Sequence, residues 1–127
     1  MYGETLSLKQ FGVEEPKEHD DFLARYIEIV KANISNPELD VSVIYEALGM
    51  SRTNFYRKVK TVTGLSPIEL IKNIRLEAGA KLLKESDMNV SEIAQHIGFS
   101  SRSYFARSFK AVYGMSPTEY QETESQN

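Results

Sequence analysis

The chain has no cysteine and only two histidines, His19 and His96. Without cysteine there is neither a disulfide framework nor a thiolate metal site. The histidines have no ligand partners at metal-binding spacing, so no metal site is expected. No apolar run approaches the roughly 18–20 residues that a membrane span needs. The opening MYGETLSLKQ lacks the basic start and apolar stretch of a secretory signal. The expected location is therefore the cytoplasm, with no membrane contact by this segment. Nothing in the sequence suggests a pocket holding a Ser-His-Asp set or paired carboxylates, so neither an enzyme nor a cofactor is expected. What is present is an ordinary globular composition: 127 residues, 41% hydrophobic and 26% charged. That length suits one compact domain or two small lobes sharing a helix.

The net charge of −3 argues superficially against a nucleic-acid partner. The distribution says otherwise. Residues 1–40 hold nine acids and four bases, while residues 41–127 hold eleven bases and nine acids. Ser51–Val62 carries Arg52, Arg57, Lys58 and Lys60 with no acid, and Ser100–Tyr113 carries Arg102, Arg107 and Lys110 with no acid. Phosphate contact needs charge in the right place, not a basic total. By charge alone, two solvated helix faces fit equally well.

The two basic segments belong to an internal repeat. VSVIYEALG at 41–49 matches VSEIAQHIG at 90–98, and RTNFYRKVKTVTGLSPIEL at 52–70 matches RSYFARSFKAVYGMSPTEY at 102–120. The offset changes from 49 to 50 because the second copy has one extra residue, in the turn after the glycine. Each copy reads as a helix-turn-helix unit. Asp40 and Asn89 cap a short helix, and Glu92 completes a capping box in the second copy. Gly49 and Gly98 end that helix, where a left-handed residue fits. Ser51 and Ser100 are expected to cap the next helix, whose apolar stripes are Phe55, Val59 and Val62, and Phe105, Phe109 and Val112. Gly64 and Gly114 end these second helices. Ser66-Pro67-Ile68-Glu69 and Ser116-Pro117-Thr118-Glu119 then start a third helix in each copy, by a capping serine, proline in the first turn and a returning glutamate.

The expected fold is all-α, with about seven helices and no convincing strand. Residues 1–19 read as a linker or disordered tail and residues 20–66 as the first helix-turn-helix subdomain. A linker helix follows at 67–84, with Ile68, Ile71, Ile74, Ala78 and Leu82 on one stripe. The second subdomain spans 85–120, and 121–127 is a polar tail. The leading helix is expected over Phe22–Ile34, with Phe22, Tyr26, Ile27, Val30 and Ile34 facing inward.

With these parts in order, the sequence resembles the AraC/XylS family DNA-binding domain over about Asp20 to Tyr120. The resemblance lies in GMSRTNFYRKVKTVTGLSPIELIKNIRLEAGAKLL and VSEIAQHIGFSSRSYFARSFKAVYGMSPTEY. The first of these is also similar to C-terminal domains of hybrid two-component regulators. The resemblance implies sequence-specific binding of double-stranded DNA and regulation of transcription, with each second helix in the major groove. The linker helix, a rod of ~27 Å, would set the units about one DNA turn (~34 Å) apart. It implies base contacts by Thr53, Tyr56 and Arg57 in the first unit and by Arg102, Ser103, Ala106 and Arg107 in the second. Arg52, Lys60 and Lys110 are expected on phosphates. Further partners implied are RNA polymerase and, in a longer protein, an upstream receiver or sensor domain.

Other roles compete for some of these residues. Arg57 and Arg107 suit structural ion pairs as well as guanine, but neither recognition helix contains an acid. Phe55, Phe105 and Phe109 are expected in the core and Phe99 under the turn. Arg75 and Glu77 are expected to pair with neighbouring helices. Tyr45 departs from the family, which places a small residue there, as Ala94 does in the second copy. Its ring must swing out or widen the helix crossing. A helical protein-interaction module remains the alternative function. It would need apolar residues on the outward faces, where the sequence has Arg52, Thr53, Tyr56, Arg57, Arg102, Ser103 and Arg107.

Overall fold

The computed structural model describes residues 17–123. Seven helices occupy them: α1 (Lys17–Ala32), α2 (Val41–Ala47), α3 (Arg52–Thr63), α4 (Pro67–Glu85), α5 (Val90–His96), α6 (Arg102–Tyr113) and α7 (Pro117–Glu122). No strand occurs among the described residues. The all-α architecture with two helix-turn-helix units, α2–α3 and α5–α6, is as the repeat implies. The expected tail at residues 1–19 falls mostly outside the described residues. The leading helix starts at Lys17, ahead of the expected Phe22, and ends at Ala32.

The chain forms two compact units. Among the described residues, one contains 17–33 together with Leu39–Ile74, and the other contains Ile34–Glu38 and 75–123. In the first, Phe22, Tyr26, Ile44, Phe55, Val59, Val62, Leu70 and Ile74 are buried together. Tyr26 stacks on Phe55 with ring centroids 5.6 Å apart and donates its hydroxyl to the Pro67 carbonyl at 2.9 Å. That bond ties α1 to the start of α4, and burial pushes the phenol's pKa upward.

In the second unit, Leu76, Ala80, Leu83, Ile93, Ala94, Ile97, Phe105 and Phe109 form the core. Phe99 is buried under the turn and tilts against Phe105 at 5.3 Å, as expected. Arg75, expected to pair with a neighbouring helix, instead donates to the Asn36 carbonyl in the segment between α1 and α2 at 2.6 Å. Glu77 is buried.

Most caps follow the sequence. Asp40 and Asn89 accept from backbone amides of α2 and α5, and Asn89 with Glu92 makes a full capping box. The Ser66–Glu69 and Ser116–Glu119 boxes are reciprocal, and each box holds its glutamate below the usual carboxylate range through the serine backbone amide. Gly64 and Gly114 end α3 and α6 in the left-handed conformation.

Four further expectations need correction. Ser101, not Ser100, caps α6, accepting from the Tyr104 amide at 3.0 Å. The inserted residue lengthens the turn and moves the cap one place on. Val112 is 57% exposed although its counterpart Val62 is buried. Ile68 is 66% exposed, and α4 buries Leu70, Ile71 and Ile74, then Leu76, Ala80 and Leu83. No single stripe runs through α4 because its two halves serve separate cores. Ile34 is only half-buried and lies beyond α1.

Candidate nucleic-acid interface

The candidate reading surface lies on α3 and α6, each amphipathic for the same reason. Phe55, Val59 and Val62 turn one face of α3 inward, and Phe105, Ser108 and Phe109 do so for α6. The opposite face must then be solvated. On α3 it carries Arg52, Thr53, Asn54, Arg57 and Lys60, all exposed, with Tyr56 half-buried beside them. On α6 it carries Arg102, Ser103, Tyr104, Arg107 and Lys110, all exposed, with Ala106 half-buried. Every residue expected to contact DNA thus lies on the face away from its unit's core or at that face's edge. Neither helix has an acid in its first turn.

The arginines are oriented by different neighbours. Arg52 lies over the Tyr56 ring, 4.6 Å from its centroid. In the second unit the residue equivalent to Tyr56 is Ala106, which offers no ring. Arg102 instead donates to Ser91 Oγ on α5 at 3.2 Å, so it is held beside the first helix of its unit. Arg57 donates to Asn54 Oδ1 at 3.4 Å, and Arg107 lies 5.9 Å from the Tyr104 ring centroid. Lys60 donates to the Gly64 carbonyl at 3.0 Å, closing the end of its own helix. Asn54, Tyr104 and Ser91 are neighbours of these arginines that the sequence reading did not single out. The repeat conceals the first two because their positions are equivalent but their side chains differ.

Tyr45 packs its ring against the first core. It is half-buried with its ring 5.7 Å from that of Phe55. The turn keeps the same backbone bond in both units, Met50 N–H to the Tyr45 carbonyl and Phe99 N–H to the Ala94 carbonyl, each 2.9 Å. No group of three or more metal-ligating His, Cys, Asp or Glu side chains is gathered among the described residues. No helix among them is long and apolar enough to cross a membrane.

A family model described as a helix-turn-helix domain matches residues 44–123, from within α2 to the end of α7. The chain belongs to the AraC/XylS family. As a member of that family it is a DNA-binding domain of the kind found in transcription regulators. It is 35% identical over 107 residues to Histidine kinase P4 of Formosa agariphila, covering 84% of this chain and 8% of the kinase. It is 35% identical over 100 residues to the HTH-type transcriptional regulator MtrA of Neisseria gonorrhoeae, covering 77% of this chain and 33% of that regulator. The chain therefore spans a third or less of these curated relatives. Among solved structures, it is similar to the DNA-binding domain of AdpA, a global transcriptional factor, in complex with a target DNA. That match has a TM-score of 0.68 and 27% identity, and covers 81% of this chain and 88% of the other.

Proposed function

We propose that this AraC/XylS domain reads duplex DNA with α3 and α6, each seated in a major-groove segment. Arg57 and Arg107 are the principal base readers. The carrying observation is the exposed, acid-free face of each helix set against a fully buried Phe55 or Phe105. A guanidinium on such a face suits the paired N7 and O6 acceptors of guanine. Thr53 and Ala106 suit a thymine methyl, Tyr56 a base edge or phosphate, and Ser103 a base edge. Arg102, drawn to Ser91, is better placed for the backbone than for a base edge. Arg52, Lys60 and Lys110 position the domain through phosphates.

The domain acts in the cytoplasm as the DNA-binding part of a larger regulator, binding DNA and not itself carrying out catalysis. An upstream receiver or sensor domain supplies the signal and RNA polymerase receives the output. The similarity to a short stretch of a histidine kinase supports that arrangement. The polar outward faces speak against a protein-interaction module.

Binding measured by fluorescence anisotropy against salt tests the phosphate roles. Affinity should fall steeply as salt rises. Lys110→Ala should weaken specific and non-specific duplexes alike and reduce the log–log salt slope by about 1. A slope unchanged by that substitution removes Lys110 from the DNA backbone. Affinity independent of salt contradicts the DNA interface itself.

A further inference from the structure

The two arginines shared by the repeat are each approached by the residue three positions earlier. Ser51 caps α3 by accepting from the Asn54 amide at 3.2 Å, and Asn54 Oδ1 accepts from Arg57. Ser101 caps α6 by accepting from the Tyr104 amide, and the Tyr104 ring faces the Arg107 guanidinium. In both helices the third helical residue is thus pinned through its backbone by the cap. Its side chain then meets an arginine one turn on, where residues i and i+3 are neighbours. Tyr104 is further braced by Phe99, with ring centroids 5.3 Å apart in an edge-on arrangement, and remains 40% exposed.

We infer that Asn54 and Tyr104 are positioning residues that aim Arg57 and Arg107, and that their difference makes the two arginines read unequally. The inference rests on the base-reading role proposed above. Asparagine takes up one guanidinium N–H, which is then shared between Asn54 and DNA. The tyrosine face holds the cation while leaving all five N–H donors for the base pair. Arg57 is therefore steered by a directional bond and Arg107 by a platform. The same amino acid at equivalent positions presents a different donor set to DNA.

The test compares Tyr104→Ala, Tyr104→Phe and Arg107→Ala in the whole chain. The readout is affinity for a selected duplex, for duplexes with each base pair changed singly, and for a non-specific duplex. Tyr104→Ala is expected to reduce discrimination by about two- to fivefold at the base pair where Arg107→Ala abolishes it. Non-specific affinity should stay unchanged, and Tyr104→Phe, which keeps the ring, should match the parent. In an Arg107→Ala background, Tyr104→Ala should have no further effect. Tyr104→Leu, which keeps an apolar contact with Phe99, should reproduce the loss of discrimination with the parent's melting temperature. Equal weakening of every duplex by Tyr104→Ala, or continued loss of discrimination without Arg107, overturns the inference. If Arg107→Ala leaves discrimination intact, the base-reading role itself fails, and that pattern is distinct from the other two.

Discussion

Arg107→Ala should cut discrimination at one base pair by about 5- to 150-fold, equivalent to ~1–3 kcal/mol, while leaving non-specific binding nearly intact. Arg57→Ala should do the same at a different base pair. Both side chains are exposed on helices whose opposite faces are locked into cores by Phe55 and Phe105. Their removal therefore leaves no cavity and should change melting temperature little. A guanidinium donating to both acceptors of a guanine discriminates because the wrong base leaves its donors unmatched. One on a phosphate discriminates nothing. Equilibrium binding to a panel of singly changed duplexes separates these cases. A uniform loss across the panel would reassign the arginine to the backbone.

The second large effect concerns stability. Gly98→Ala should be much more damaging than Gly49→Ala, although both glycines occupy the same place in the repeat. Both have positive φ, +69° at Gly49 and +88° at Gly98. A non-glycine residue pays a left-handed penalty of ~1–2 kcal/mol at either. Around Gly49 a methyl group meets nothing within 4 Å. At Gly98 it collides with the Ile34 carbonyl oxygen and the Arg75 guanidinium. The carbonyl is backbone and cannot swing aside, and Arg75 is tied to Asn36. Gly49→Ala should lower the thermal midpoint by about 5 °C, and Gly98→Ala by more than about 10 °C, read by circular dichroism. Equal shifts would mean that the packing of residues 34–38 against this turn contributes little.

Much of this was legible before any coordinates. The repeat exposed both units, and the reciprocal pattern Ser66–Glu69 and Ser116–Glu119 located two helix starts because the capping chemistry is local. Phe55 and Phe105 were recognisable as core from helical spacing. The cap of α6 moved for a local reason, the extra turn residue, whereas Val112 and Ile68 were decided by packing between helices. Val112 matches the buried Val62, but the two closing helices differ. The first core takes Ile71 from the long α4, and the matching position in the second copy is the polar Gln121. With that apolar cover missing, Val112 faces solvent. Ile68 falls on an apolar stripe that would need one core along the whole of α4, but the helix serves two. The orientation of the arginines was hidden for another reason. It depends on Tyr56 against Ala106 and Asn54 against Tyr104, differences that a search for shared residues discards.

These differences make the pair of units an asymmetric reader, with common cores and caps but unlike contacts at equivalent positions. Selection from a pool of random duplexes by the intact chain tests this most directly. The expected result is enrichment of two short blocks of different sequence, one lost with Arg57→Ala and the other with Arg107→Ala. Enrichment of the same block twice, or no enrichment at all, would contradict it.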